Sequence, residues 1–278
     1  LKSFHRRTAR PATAPATPHV QAPAERGGLM RADSLLVAQG LAPSRTSAQV
    51  LIEAGRVSWE GGPVTKSAQT LSGEVVLEVR QDENDRFVSR GGLKLAGALA
   101  ASKLSVTGLT CLDVGQSTGG FTDCLLQAGA KQVVGVEVGH GQIHTKLAAD
   151  ARCVTLEGIN ARHLLAADLG PHFPPDGFGL IVCDASFISL TLLMPQWPAL
   201  LATGGSILAL VKPQFEVGPK GLSKGGIVRD TNLYADVESR LRDSARSCGL
   251  SVKGWYDSPI TGTDGNREFF IWMQHERH

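Results

Sequence analysis

This 278-residue chain is poor in the features that would place it in several large classes. Its five cysteines, at 111, 124, 153, 183 and 248, are scattered and form no C-x-x-C pair. That excludes a disulfide framework and a cysteine zinc site, and it fits a reducing cytoplasm. No apolar run reaches the roughly 18 residues of a membrane span, so stable membrane insertion is not expected. The net charge is only +2, so bulk electrostatics does not announce a nucleic-acid partner. The G-K-[ST] of a phosphate loop and the G-x-G-x-x-G of a dinucleotide site are both missing. No internal repeat is present. At 42% hydrophobic content the chain reads as a soluble globular protein with one large and one small domain.

Residues 1–29 are rich in proline and carry Lys2, Arg6, Arg7, Arg10 and Arg26 against Glu25, a net of +4. Such a stretch cannot build a core and is expected to be a disordered tail. It reads as an upstream extension ahead of Met30 rather than a functional basic arm. It shows no amphipathic period of a transit peptide.

Residues 30–80 predict a small α+β domain. A helix runs from Asp33 to Ala38, and Gly40 stops it. Ser44 caps a second helix whose Ala48, Leu51 and Ile52 share a face. Short strands follow at Val57–Glu60 and near 75–79, with a turn at Gly61-Gly62-Pro63. Residues 81–90 form a charged linker. The remainder, 91–278, alternates strands and helices, the pattern of a doubly wound parallel sheet. Strands are expected near 109–114, 132–138, 152–156, 179–184 and 206–212, with a closing strand pair near 251–257 and 267–274. Helices are expected near 92–102, 118–128, 142–149, 189–202 and 232–248.

CLDVGQSTGGFTD (111–123) is the most informative stretch. An apolar strand ends in Asp113, turns through Gly115 and Ser117, and passes Gly119 and Gly120 into a helix. Glycines there let backbone approach a ligand, and the helix N-terminus offers unpaired N–H groups. Glu137 ends the next strand, placed to accept both hydroxyl hydrogens of a ribose. Asn160 follows the third strand and either reaches an adenine or caps a helix. Phe121 is expected to pack rather than stack on ligand. His140 and His144 share a helix face but lack a third ligand, so no metal site is expected.

Four further ionic residues sit at strand ends or the first helix: Lys94, Asp184, Lys212 and Glu268. Strand ends of one parallel sheet converge on one crevice. A lysine there works as a base only when burial or a second cation favours its neutral amine. Two carboxylates would orient the amines and oppose that effect. Cys183 lies within an apolar run and is expected to be buried, unlike the nucleophile of a carbon methylase. DASF (184–187) lacks the prolines of an Asn/Asp-Pro-Pro-aromatic loop.

The order Asp-x-Gly-x-x-x-Gly-Gly resembles the first motif of S-adenosylmethionine-dependent methyltransferases, and the order Lys-Asp-Lys-Glu resembles the tetrad of FtsJ-like ribose 2′-O-methyltransferases. VSRGGLKL, LDVGQSTGGFT, VGHGQ, DASFISL, LVKPQFEVG, GGIVRD and GNREFF are similar to strings of the TlyA family, also called hemolysin-like. The helical pair with EAGRVSWEGGPVTKSAQTL resembles an α-L RNA-binding module.

The resemblance implies a cytoplasmic enzyme that methylates the 2′-oxygen of cytidine in ribosomal RNA of the small subunit, the large subunit or both. It implies S-adenosyl-L-methionine as cofactor, bound by Asp113, Gly115, Ser117, Gly119, Gly120, Glu137, Asn160 and Asp184. Catalysis falls to Lys94, Asp184, Lys212 and Glu268, and RNA contact to Arg31, Ser44, Arg45 and Arg56. Residues 31–90 carry seven basic and eight acidic side chains, so any RNA face requires segregated charge. Other readings are methylation of another RNA group, a non-catalytic RNA-binding assembly factor, and a membrane-active hemolysin.

Overall fold

The computed structural model describes residues 28–276 apart from Pro43, Gln81, Glu83 and Asn84. The chain divides into two compact units, residues 1–81 and 82–278. The expected disordered tail lies outside the described residues through residue 27. Leu29, assigned to that tail, instead opens a strand.

In the first unit β1 (Leu29–Arg31) leads into α1 (Ala32–Ala38), followed by α2 (Arg45–Glu53). Short strands β2 (Val57–Trp59), β3 (Gly62–Pro63), β4 (Thr70–Ser72) and β5 (Glu78–Val79) complete it. β1 pairs with β4, and β2 lies between β3 and β5. Ser44 caps α2 by accepting a hydrogen bond from Ser47 N at 3.2 Å, as its hydroxyl and position predicted. Ala32, Leu35, Leu36, Ala48, Ile52 and Val57 form the core. The strand expected near 75–79 is confined to Glu78–Val79, while Val75 and Leu77 pack against the core outside it.

Among the described residues of this unit one charge is fully buried. Asp33 is 0% exposed, and its carboxylate takes both Nε (3.1 Å) and Nη2 (2.8 Å) of Arg31. It also accepts from Arg45 Nη2 and Gln49 Nε2, each at 3.1 Å. A buried carboxylate is tolerated when its lone pairs are filled this way. These donors, Arg31 foremost, hold its pKa well below the usual carboxylate range.

The second unit starts its regular structure with α3 (Arg90–Ser102), preceded by Phe87, which is buried against it. Then come β6 (Thr110–Val114), α4 (Gly120–Gln127), β7 (Gln132–Glu137), α5 (Thr145–Ala148), β8 (Cys153–Glu157) and β9 (Phe178–Cys183). β10 (Leu201–Val211), α6 (Asn232–Ser247), β11 (Leu250–Asp257) and β12 (Phe269–His275) finish the chain. The seven strands run in the order β11-β12-β10-β9-β6-β7-β8, with β12 antiparallel to β10 and β11, and the others parallel.

Alternate residues of the strands feed two cores. Leu112, Val114, Val134 and Val136 face one side, and Cys111, Val133, Leu180 and Val182 the other. Both faces are covered, so the strands read as continuous apolar runs. The chain moves from β6 outward to β8 and returns to β9 on the other flank of β6. That reversal opens a crevice at the carboxyl ends of the strands.

Two of the expected helices fail. Residues 189–202 are not one helix. They form 3₁₀ turns at Leu190–Leu192 and Met194–Gln196, and β10 has begun by Leu201. Pro195 and Pro198 lack the N–H groups a continuing helix needs. The helix expected at 142–149 is only α5, so His140 and His144 do not share a helical face; His144 precedes the helix and caps it through Nδ1.

Replacing Asp33 with Ala should destabilise the first unit by roughly 1–3 kcal/mol, the cost of stripping a buried hydrogen-bonded acceptor. Hydrogen exchange of the α1 and α2 amides measures it, and unchanged protection would contradict the role given to this carboxylate.

Candidate active site

β6 ends in a turn built for close approach. Gly115 has φ +81, and a Cβ there would lie 3.0 Å from the Asp184 carbonyl oxygen. Gly115 N and Gln116 N both donate to Val136 O, at 3.0 and 3.2 Å, and Asp184 N donates to Val114 O at 3.0 Å. The turn is thereby stitched to the strands on either side. Ser117 holds a left-handed φ of 49, and its N–H donates to Glu137 Oε2 at 2.9 Å. The other oxygen of Glu137 accepts from Gly139 N at 2.9 Å, and Ser117 Oγ donates to Gln142 Oε1 at 3.1 Å.

These groups border a cavity of about 580 Å³, whose walls include Gly115, Ser117, Glu137, Asn160, Asp184 and Phe187. Its volume and mixed lining suit a nucleoside-sized ligand. Asn160 makes the cap that its position allows, on the rim of the same cavity. Its Oδ1 accepts from Arg162 N at 3.0 Å to cap the 3₁₀ turn Ala161–His163.

Three residues of the motif lie behind the cavity wall. A Cβ on Gly119 would collide with Leu147, and one on Gly120 with Ser89 Oγ. Those glycines make room for neighbouring protein elements. Asp113 is 0% exposed beneath the turn, and its Oδ2 accepts from Thr122 Oγ1 at 2.7 Å. Its Oδ1 has no hydrogen-bond partner. Burial pushes this carboxyl up to about 7, with the Thr122 hydrogen bond working in the opposite direction.

At the same strand edge the four ionic residues form two close pairs. Lys94 Nζ, from α3, is 2.6 Å from Glu268 Oε2 just before β12. Lys212 Nζ, just after β10, is 2.6 Å from Asp184 Oδ1, just after β9. The side chains are 10%, 2%, 12% and 23% exposed for Lys94, Glu268, Lys212 and Asp184, so these are largely desolvated contacts. Burial raises the Glu268 carboxyl above its ordinary value, and Lys94 opposes this. Glu268 also feels Lys212 and Asp184, so the two pairs share one electrostatic neighbourhood.

Ser186 escaped the sequence reading, yet it accepts a hydrogen bond from Lys212 Nζ at 2.8 Å. Only its position in DASF, beside Asp184, could have signalled it. Phe187, 90% exposed with φ 62, lies over Phe215 at a centroid distance of 5.1 Å. Cys183 is fully buried, and desolvation raises its thiol to about 12. Phe121 is buried and stacks on Phe270, with centroids 6.0 Å apart. Among the described residues no cluster of three or more His, Cys, Asp or Glu side chains suits a metal.

In the first unit, Asp33 brings Arg31 and Arg45 together, with their side chains 43% and 56% exposed. Ser44 Oγ is occupied by the α2 cap, and Arg56 Nε donates to Arg80 O at 3.0 Å.

A parallel sheet with a nucleoside-sized cavity at its switch point and a closing antiparallel ribbon defines a methyltransferase of the class I fold. The family profile of FtsJ-like methyltransferases matches residues 87–275, and that of the S4 domain matches residues 30–77. The chain belongs to the TlyA family, with an FtsJ-like methyltransferase domain and an N-terminal S4 domain. It is 44% identical over 241 residues to a provisionally named rRNA methyltransferase of Bacillus subtilis, covering 87% of this chain and 84% of that one. It is 42% identical over 244 residues to the 16S/23S rRNA (cytidine-2′-O)-methyltransferase TlyA of Mycobacterium tuberculosis, covering 88% and 89%. A solved structure from Streptococcus thermophilus, provisionally titled a hemolysin, matches with a TM-score of 0.68 and 38% identity, covering 89% and 88%.

The Asp113 carboxyl gives a pH signature. Its folded value of about 7 exceeds the ordinary 3.8, so the folded state binds the proton more tightly. Its penalty is absent below about 4 and grows as pH rises to about 7. The stability of Asp113→Asn relative to wild type should therefore increase across that window in denaturant titrations. A difference independent of pH would contradict the assignment.

Proposed function

We propose that this protein transfers a methyl group from S-adenosyl-L-methionine to the ribose 2′-hydroxyl of cytidine in ribosomal RNA. The observation that supports it most is the pairing of Lys94 with Glu268 and Lys212 with Asp184, at 2.6 Å each, on the strand edge where the cavity opens. A ribose hydroxyl is a weak nucleophile that must lose its proton during attack. A desolvated, oriented amine suits that need.

The cavity residues fit the cofactor. Glu137 presents a carboxylate fixed by two backbone amides, suited to a ribose diol. Asn160 has an amide suited to adenine, and Ser117 and Asp184 line the same cavity. Gly115 keeps the floor open. Asp113, Gly119 and Gly120 act from beneath by shaping the turn. When bound, S-adenosylmethionine supplies an electrophilic methyl on a cationic sulfur.

The protein's part is then to place the hydroxyl and move one proton. Lys212 would accept the proton of the 2′-hydroxyl as that oxygen takes the methyl, with the sulfur–methyl bond breaking to leave a neutral thioether. Asp184 and Ser186 aim the Lys212 amine. Lys94 and Glu268 complete the charged wall on the other side and neutralise one another. Placement in a largely water-free site supplies much of the acceleration. Arg31 and Arg45, pinned by Asp33, are offered as the phosphate-gripping pair of the S4 domain. The protein would work on ribosomal subunits in the cytoplasm. Among the described residues no helix is long and apolar enough to cross a membrane.

The test is methylation of purified ribosomal subunits with labelled cofactor. Lys212→Ala should lower turnover by roughly 10²–10⁴-fold, the usual contribution of a general base, while S-adenosylhomocysteine affinity by calorimetry stays close to wild type. Wild-type turnover in that variant would remove Lys212 as the base.

A further inference from the structure

We infer that Glu216 is a positioning residue that holds Ser186 against the Lys212 amine without itself touching ligand; this rests on the role proposed for Lys212. Glu216 lies four residues after Lys212, and its side chain is 1% exposed. It is not part of the cavity wall. Its Oε1 accepts from Leu190 N at 2.8 Å, and its Oε2 from Ser189 Oγ at 2.7 Å and Arg240 Nη2 at 3.1 Å. Arg240 Nη2, from α6, also donates to the Glu216 carbonyl oxygen at 2.5 Å. A buried carboxylate with three donors is a strong tie, because each bond is charge-assisted and a vacated donor would be stranded from water.

The segment it secures is irregular, held otherwise by Asp184 N on Val114 O and by Ala185 and Ile188 packed against the core. Residues 184–189 belong to no helix or strand, and Phe187 holds an unfavourable left-handed conformation. At the near end Asp184 continues β9. At the far end Ser189 and Leu190 are fastened by Glu216. Between them, Ser186 takes the Lys212 proton donor at 2.8 Å. The loop after β9 and the loop after β10 thus carry Asp184 and Lys212, and one buried carboxylate joins them. Loosening that joint lets Ser186 drift and frees the amine from one of its two acceptors.

The experiment is a double-mutant cycle on the full chain, with turnover on ribosomal subunits measured at saturating cofactor and RNA. Glu216→Gln keeps the size of the side chain but replaces one acceptor oxygen with a donor. It should lower kcat by roughly tenfold to 10²-fold, as expected for a small misplacement of a reacting group. Ser186→Ala should lower kcat as well. The double variant should be little worse than the poorer single variant, because both changes remove the same contact. Arg240→Gln, on a half-exposed side chain, provides a second entry to the cycle if Glu216→Gln fails to fold. It should give a smaller loss, again non-additive with Ser186→Ala.

Wild-type kcat in both Glu216→Gln and Arg240→Gln, or full additivity with Ser186→Ala, would overturn the inference. Lys212→Ala runs alongside in the same assay. If it retains turnover, the base assignment fails. If it is inactive while the Glu216 cycle is additive, only the positioning role fails.

Discussion

Two lysine–carboxylate contacts, made where the strands of one parallel sheet end, are the constraint on which the rest of the site depends. Burying four ionic groups is costly unless each finds a partner at close range. Here each does, and each pair joins parts of the chain that only this topology brings together. Lys212 and Asp184 follow adjacent parallel strands. Glu268 precedes the antiparallel strand beside them, and Lys94 reaches in from α3. Because β12 runs antiparallel, its start lies at the edge where β9 and β10 finish. The closing ribbon is therefore also the means by which the fourth charged group arrives.

The turn after β6 belongs to the same arrangement. Asp184 N bonds to Val114 O, and the Asp184 carbonyl lies where a side chain on Gly115 would have to go. The cavity floor and one charged pair are thus mechanically joined. Glu137 is held by the turn's own amide at Ser117, which couples the other wall to it. A buried Asp113 and two glycines set the shape of this turn from below.

Much of this architecture was legible in the chain. The strands around the cavity are apolar runs bounded by turn residues, and burial on both faces makes such runs conspicuous. The cap at Ser44 and the distances in sequence between Asp113, Glu137 and Asp184 carried the local geometry. What failed to show has physical reasons. Prolines at 195 and 198 break an apolar stretch that otherwise reads as a helix. Gly119 and Gly120 face neighbouring elements, and sequence alone does not distinguish room for a ligand from room for a side chain. Ser186 and Glu216 were missed because their contacts span 24 to 27 residues and involve common polar side chains. Leu29 pairs with Ser72, a strand contact invisible from a proline-rich neighbourhood.

The central claim is that the two ion pairs serve a ribose oxygen rather than a base. A methyl on the 2′-oxygen removes the nucleophile that cleaves the adjoining phosphodiester in alkali. Ribosomal RNA methylated by the purified protein, then partly hydrolysed in alkali and resolved by length, should show a gap at a cytidine in the RNA of at least one subunit. An uninterrupted ladder from RNA that has demonstrably taken up labelled methyl would place the methyl elsewhere and contradict the account.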